Sequence, residues 1–206
     1  MAITYARIRP DRLDHRTIEQ IGAVHELAFA ASIVRKEYPG AEVAAALSAE
    51  AMEPGFVLHV ARDETGTPVG FAYGYEDFLT RPTEGWSKRL ADALGSNGYE
   101  WLEGQFGFAW FGVLPRAQGR GIGSALHDRL IADVRCDSAW LVCPAHETGL
   151  RAFYERRGWR VLALDDLGTG TERSVMGFDL VEGQPRPRRA TQMCSAGHRA
   201  AQFFGT

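Results

Sequence analysis

Apolar positions along the chain switch between a two-residue repeat, typical of half-buried strands, and a repeat near 3.6 residues, typical of amphipathic helices. Strands are predicted at 3–9, 56–62, 68–76, 105–113, 139–143, 159–164 and 173–180. Helices are predicted at 14–38, at 39–52, within 84–95, from a glycine-rich segment to about 135, and at 147–158. Both element types mix along the chain, which indicates an α/β fold, of the α+β mixed kind.

Short signals at the ends of these segments refine the pattern. Asp14 stands where a helix N-cap is expected, and Gly158 where a glycine ends the last helix. The turn residues at 63–67 join two strands and predict a hairpin. The segment 77–104 has an irregular pattern, with a turn predicted at 96–98.

The composition is that of an ordinary globular chain, with 206 residues, 45% of them hydrophobic and 24% charged. One domain is expected over residues 1–181. After that the sequence turns rich in Pro, Arg, Gly and Ala and loses its periodicity, so 182–206 are predicted to form a C-terminal tail outside the core.

Charge and cysteine content exclude several classes of protein. The formal net charge of −3 gives no overall attraction to nucleic acid or to an anionic membrane, so neither is expected as a partner. Cys136, Cys143 and Cys194 are odd in number and fit neither a disulfide framework nor a zinc site. The chain begins without the apolar core of a signal peptide and has no bilayer-long apolar run. We therefore expect a cytoplasmic protein with reduced thiols and no metal.

A glycine-rich, basic segment lies between the fourth predicted strand and the helix that follows it. Gly119, Gly121 and Gly123 let successive backbone N–H groups turn toward an anion, and Arg120 adds positive charge at a helix start. The spacing is not that of a dinucleotide-binding loop, and no Lys-Ser/Thr pair follows as in a Walker A loop. The residues alone leave two interpretations open, a phosphate-binding loop and a plain connector.

Two motifs together resemble the GNAT superfamily of N-acetyltransferases. The stretch "VLPRAQGRGIG" (113–123) matches a strand ending in Val-x-Pro followed by Gln/Arg-x-x-Gly-x-Gly/Ala at a helix start. Downstream, Tyr154 precedes the pair Gly158 and Trp159, as in a second motif of that family. The resemblance spans about residues 3–181. It implies a central mixed, mostly antiparallel sheet of about seven strands, flanked by helices, with a splayed central strand pair that binds acetyl-CoA.

The resemblance also implies which residues hold acetyl-CoA, the expected cosubstrate. The fourth strand would leave backbone groups free for the pantetheine arm, and the glycine loop would bind the pyrophosphate. The implied cofactor-binding residues are Phe111, Gly112, Val113, Gln118, Gly119, Arg120, Gly121, Ile122, Gly123, Ser124 and Tyr154. Many members of the family carry Asn seven residues before this Tyr, where this chain has Glu147. The Asn contact to the cofactor arm is therefore not expected here.

Catalysis by direct transfer needs a proton donor for the thiolate and an acceptor for the amine proton. The resemblance assigns the first role to Tyr154. Four carboxylates are candidates for the second: Glu76, Asp77, Glu100 and Glu103. Glu103 is preferred because it enters the strand whose far end meets the thioester. Cys143 is interpreted as a core thiol, and His25 and His59 as core residues.

An amine acceptor is expected to bind near the segment between the third and fourth strands. Its aromatic and acidic residues suit an amine through cation–π and charge contacts. They are Phe78, Trp86, Tyr99 and Trp101 beside Asp77, Glu84, Glu100 and Glu103. Equally, Trp86 and Trp101 could anchor the segment to the core.

Three functions remain open from the sequence. The preferred one is N-acetylation of a small-molecule amine. The others are acetylation of protein N-termini or lysines, and acyl-CoA binding without catalysis. The oligomeric state is open too, with a homodimer among the options.

Overall fold

The computed structural model of the chain describes residues 2–32, 37–77 and 85–180. Seven strands are present in this part of the chain: β1 (Thr4–Ile8), β2 (Val57–Arg62), β3 (Pro68–Asp77), β4 (Gln105–Val113), β5 (Ser138–Pro144), β6 (Arg160–Asp165) and β7 (Arg173–Asp179). Its α-helices are α1 (His15–Ala28), α2 (Gly40–Glu50), α3 (Gly85–Leu102), α4 (Ile122–Asp133) and α5 (Thr148–Glu155). The predicted tail at 182–206 lies outside the described residues.

The strands form one sheet in the order β1-β2-β3-β4-β5-β7-β6. Every neighbouring pair is antiparallel except β4 and β5, which run parallel. In the described part of the chain, register pairing joins this parallel pair only at Phe106–Ala139 and Gly107–Trp140, next to hydrogen bonds from Ser138 to the Gln105 side chain. The two strands therefore separate toward their carboxyl ends. The predicted mixed, mostly antiparallel sheet with a splayed central pair is confirmed.

A bulge in β4 lies at the point where the strands separate. Tyr73 of β3 pairs with Trp110, whereas the next residue, Gly74, pairs with Phe108, so Ala109 is an extra residue on β4. A bulge bends its strand and re-aims the side chains that follow it. Beyond the bulge, the Phe111 side chain lies toward α4 and the Trp110 ring lies against α1.

Helices cover both faces of the sheet. The first two helices pack on one face and α4 on the other. The crossing of α1 and α2 is very close, because a Cβ added at Gly40 would lie 2.3 Å from the carbonyl oxygen of Gly22. The first helix begins as predicted, since the Asp14 side chain accepts a hydrogen bond of 2.8 Å from the Thr17 N–H.

Two helix boundaries differ from the predictions. The first helix ends at Ala28 and does not continue through the described residues 29–32. The turn predicted at 96–98 is wrong, because α3 resumes there after a break at Gly95, whose φ of 67° and ψ of 174° are not helical. The reason is tertiary packing, because the second half of α3 places Leu102 in a core cluster with Trp140 and Val175.

His25 of α1 is a core residue, as predicted, with 0% of its surface exposed. Its ring lies 4.6 Å from the Phe29 ring and 4.5 Å from the Trp110 ring, between centroids. Neither ring nitrogen has a hydrogen-bond partner in the described residues. Burial lowers the pKa of His25 to about 4, because the charged imidazolium would lose its hydration.

This burial predicts a pH-dependent stability. The pKa of His25 is about 6.5 in the unfolded chain, so as the pH falls below that value the unfolded chain binds the proton first. The stabilising contribution is therefore present above about pH 6.5 and is lost progressively toward pH 4. The His25→Leu variant should not show this loss. As the pH falls, its free energy of unfolding should therefore decrease less steeply than that of the unaltered chain, with a difference in slope of up to about 1.4 kcal/mol per pH unit.

Urea denaturation of both proteins between pH 7 and pH 4.5 measures the difference. Other buried histidines, His59 and His127, are present in both proteins and cancel in the comparison. Parallel pH dependences for His25→Leu and the unaltered chain would contradict the assignment.

Candidate functional site

The connection from β4 to α4 is an open loop of backbone amides. After β4 the chain makes a 3-10 turn at Pro115–Ala117, and the Gln118 side chain donates to the Val113 carbonyl oxygen at 3.0 Å. Gly119 and Gly121 have φ values of 70° and 77°, a region that L side chains rarely adopt. No side chain of the described residues caps the start of α4. The first amides of α4 therefore remain available to an anion, as helix geometry requires.

The predicted cofactor residues lie near one another, along the carboxyl end of β4 and the start of α4. Two of them could contact a ligand through their backbone only. Ile122 is buried in the core, so only its backbone could face a ligand. A Cβ at Gly112 would meet Ala28 and Phe71 on the far face, so this residue also offers its backbone alone. Gly123 lies beside Phe111, whose ring is 3.4 Å from where a Cβ would stand.

Tyr154 of α5 lies beside the separated part of the two strands, and 4% of its surface is exposed. Its ring packs against Phe111 at 6.4 Å, His127 at 6.3 Å and Trp159 at 5.6 Å between centroids. Burial raises the pKa of Tyr154, and the neighbouring Cys143 raises it further. The phenol therefore keeps its proton at neutral pH and is a potential proton donor.

A buried hydrogen-bond chain fixes α4 relative to the segment after α5. Trp159 follows Gly158, which has the left-handed conformation predicted for it. The Trp159 indole N–H donates to Nε2 of His127 at 2.9 Å, so the proton of the neutral imidazole lies on Nδ1. That N–H then donates to the Asp128 carboxylate at 2.9 Å. Burial lowers the pKa of His127, which favours this neutral form.

Arg157 is a site residue that the sequence analysis missed. Its guanidinium donates to the Ser124 hydroxyl oxygen in the first turn of α4 and lies 3.9 Å above the Phe153 ring. It also lies 3.7 Å from the Asp128 carboxylate. No local pattern could reveal this contact, because 33 residues separate its two partners.

Glu103 is exposed and precedes β4 at the end where that strand pairs with β5. Eight residues separate it from Phe111, which corresponds to more than about 20 Å along a strand. The structure therefore does not bring Glu103 together with Tyr154. The other candidate carboxylates are no closer in the sheet, since Glu76 pairs with Phe106 and Asp77 with Gln105, while Glu100 is exposed on α3.

The aromatic residues of α3 anchor the helix to the core. Trp86 stacks on Trp140 at 6.3 Å, and Trp101 packs in the same cluster with Leu162. Tyr99 is buried. Of the two interpretations offered for Trp86 and Trp101, the structure supports anchoring. Phe78 and Glu84, also predicted for the acceptor pocket, lie outside the described residues.

Different residues surround the other opening of the separated strands, at the carboxyl end of β5. The Ser32 hydroxyl donates to Oε1 of Glu147 at 2.6 Å, which joins the chain after α1 to the start of α5. An ion pair between Glu37 and Arg173 makes a second link, from the segment before α2 to the start of β7, where Arg173 pairs with Pro144 of β5. Glu147 was noted in the sequence only as a departure from Asn, and its partner is visible only in the structure.

Cys143 is the core thiol that the sequence analysis expected. It is 5% exposed, and burial raises its pKa to about 12. Cys136 is half-buried, whereas Cys194 lies outside the described residues. Within the described ranges no cluster of His, Cys, Asp and Glu could hold a metal ion. In those same ranges no helix is long and apolar enough to cross a membrane.

Comparison with known proteins gives a consistent result. A family model described as the acetyltransferase (GNAT) family matches residues 21–159. A GCN5-like protein acetyltransferase of Mycobacterium tuberculosis is 32% identical over 126 residues, which cover 58% of this chain and 57% of the relative. The match thus spans little more than half of that relative's length.

Solved structures share the fold at low sequence identity. A Salmonella typhimurium protein, solved with its cofactor acetyl-CoA, has a TM-score of 0.62 and 15% identity, covering 91% of this chain and 99% of that one. The ribosomal-protein-S18-alanine N-acetyltransferase of Escherichia coli has a TM-score of 0.61 and 14% identity, covering 89% and 97%.

The match at 21–159 contains the separated strands, the glycine loop and the motif from Tyr154 to Trp159. It confirms the resemblance that these motifs carry. The chain belongs to the acetyltransferase (GNAT) family, whose acetyl donor is acetyl-CoA.

Proposed function

We propose that this chain transfers the acetyl group of acetyl-CoA directly to a primary amine, preferably that of a small molecule. One observation carries the proposal. The gap between β4 and β5 has the glycine loop, with its uncapped helix start, on one side and the buried, protonated phenol of Tyr154 beside Phe111 of the open strand edge. A cofactor lying in this gap would meet both groups at once.

The loop at 118–124 holds the pyrophosphate of acetyl-CoA in this proposal. The unpaired amides at the start of α4 and the positive end of the helix both favour an anion there. Arg157 adds a guanidinium beside Ser124. Since Ser124 accepts the hydrogen bond from Arg157, its own O–H remains free to point toward a phosphate oxygen.

The pantetheine arm pairs with the exposed edge of β4. Apart from the bulged Ala109, residues 108–113 pair with β3 on one side, while the pairing with β5 stops at Gly107. Backbone N–H and C=O groups on that open edge need partners. The amide groups of pantetheine supply them, as another strand would.

Tyr154 protonates the departing thiolate. Its hydroxyl belongs to a residue buried against Phe111 of the same strand edge, so the thioester would lie beside it. A covalent route through Cys143 is disfavoured, since the thiolate is the nucleophilic form and this thiol has a pKa near 12. An acyl-CoA-binding module without activity would have no use for the phenol.

The choice between a small amine and a protein as acceptor depends on the opening at the carboxyl end of β5. Two contacts lie there, Ser32 to Glu147 and Glu37 to Arg173, and in this proposal they narrow the approach to the thioester. A narrowed approach favours a small amine over a folded protein surface. The second candidate, a protein N-terminus or lysine, is favoured by the description of the M. tuberculosis relative as a protein acetyltransferase.

Release of free CoA from acetyl-CoA tests the proposal across a panel of acceptors. The panel contains an aliphatic monoamine, a polyamine, an α-amino acid, an aminoglycoside, and peptides with either a free N-terminus or one internal lysine. We expect release with a small amine. Release only with peptides would establish the second candidate, and binding of acetyl-CoA without any release would overturn acetyl transfer.

Gly121 offers a direct test of the pyrophosphate site. A Cβ at this position meets nothing within 4 Å, so Gly121→Asp and Gly121→Asn should fold with similar backbone strain. Only Asp adds a negative charge, which should repel the phosphates. Calorimetry should show a loss of CoA affinity of about tenfold or more for Asp relative to Asn, which corresponds to about 1.4 kcal/mol. Equal affinities for the two variants would place the pyrophosphate elsewhere.

Tyr154→Phe tests the proton donor and keeps the aromatic packing. Loss of a general acid typically costs about 10²-fold or more in turnover. We expect that fall in kcat, with the Kd for acetyl-CoA nearly unchanged. Cys143→Ala, the matched control for an acyl-enzyme route, should keep its activity. A fully active Tyr154→Phe together with an inactive Cys143→Ala would reverse the mechanism.

A further inference from the structure

We propose that Glu147 is the carboxylate that receives the acceptor amine, binding its ammonium group and taking the proton that the attacking nitrogen loses. This inference rests on the proposed acetyl transfer. It assigns the amine proton to a carboxylate other than the four that the sequence analysis considered.

Glu147 and Tyr154 lie on one face of the same helical segment. Glu147 is the N-cap of α5 and Tyr154 is seven residues further on. Seven residues are close to two full turns, so the two side chains share a face about 10 Å apart along the axis. That separation leaves room for a thioester and an amine between a proton acceptor and a proton donor.

Cys143, at the carboxyl end of β5, lies between the two groups. Burial raises the pKa of this thiol most, and the negative charge of Glu147 raises it further. The same thiol in turn raises the pKa of Tyr154. These mutual effects require proximity, so all three side chains surround the same end of the separated strands.

Among the described residues, the Glu147 carboxylate is held in place but has no cationic partner. Ser32 is the only hydrogen-bond partner of this carboxylate there, at 2.6 Å from Oε1. Two arginines of the described ranges lie in this region, and each is paired with another carboxylate. Arg151 is 3.3 Å from Glu155, and Arg173 is paired with Glu37. A positioned carboxylate with no cation of its own is a site for a cation brought by a ligand.

An aromatic surface lies on the β4 side of the same opening. The Trp110 ring stands on β4 just past the bulge, with Tyr38 at 5.3 Å and Phe29 at 6.0 Å between centroids. Phe29 and Tyr38 flank the connection that carries Ser32. An amine with an apolar or cationic body could therefore pack on Trp110 while its nitrogen meets Glu147.

In the proposed step, the acetyl group passes from sulfur to nitrogen and two protons are transferred. The lone pair of the amine attacks the thioester carbonyl carbon, a C–N bond forms, and the C–S bond breaks. One N–H proton passes to the Glu147 carboxylate, and the thiolate takes the phenol proton of Tyr154. Solvent then carries the proton from Glu147 back to Tyr154. An acceptor that arrives as an ammonium releases its extra proton to solvent.

Glu147→Gln removes the charge and keeps both the side-chain length and an oxygen that can accept from Ser32. With the fastest acceptor of the panel, we expect kcat to fall by about 10²-fold or more and the KM for the amine to rise. The Kd for acetyl-CoA, measured by calorimetry, should stay within about twofold, because the carboxylate faces the amine. Glu147→Asp keeps the charge and should retain more activity than Gln.

The matched control is Glu64→Gln, which alters an exposed carboxylate in the turn between β2 and β3. It should leave kcat, the amine KM and the Kd for acetyl-CoA unchanged. Glu147→Asn is a second neutral variant and should lose kcat as Gln does. Normal kcat and amine KM in the neutral variants would overturn the inference. A loss confined to acetyl-CoA affinity would overturn it as well, since the side chain would then contact the cofactor.

The activity of the unaltered chain distinguishes a failure of the proposed function from a failure of the Glu147 assignment. If it releases CoA with no acceptor in the panel, the proposed function fails, and the inference fails with it. If it turns over normally and Glu147→Gln does so too, the proposed function stands and the inference alone is wrong.

Discussion

Two residue pairs, Phe106–Ala139 and Gly107–Trp140, hold the two halves of the sheet together, and the site exists because the pairing stops there. Parallel strands normally continue side by side, since each unpaired buried N–H or C=O is costly. Here the rings of Phe111, Phe153 and Tyr154 pack together beside the separated strands, and β4 keeps an edge that does not pair with β5. The backbone groups on the open edge of β4 therefore need hydrogen-bond partners, which a ligand with amide groups can provide.

Charge is distributed unequally between the two openings of this gap. At the opening by α4, helix amides and Arg157 offer positive potential. At the opening by β5, Glu147 offers a carboxylate whose neighbouring arginines are already paired. This opposition suits a reaction between an anionic cofactor and a cationic acceptor, because each partner is attracted to its own side and repelled from the other.

Local sequence signals predicted those parts of the molecule that local chemistry determines. The Asp14 cap, the Gly158 helix end, the hairpin and the seven strands each depend on residues close in the chain. Tertiary contacts determine the rest. The second half of α3 forms because Leu102 is buried, and the contact of Arg157 with Ser124 joins residues 33 positions apart. Glu103 looked well placed in the sequence because strand direction was known, but not the point at which β4 leaves β5.

The close contact of α1 and α2 makes the acceptor side sensitive to variation far from the chemistry. A methyl group at Gly22 or Gly40 would stand 2.5 Å or 2.3 Å from a carbonyl oxygen of the facing helix, so the helices would have to separate. The connection between them carries Ser32, Glu37 and Tyr38, and would move with them. If the proposed acceptor site is correct, these two glycines would set its spacing in an evolving lineage, and selection for a new acceptor could act there without touching a reacting group.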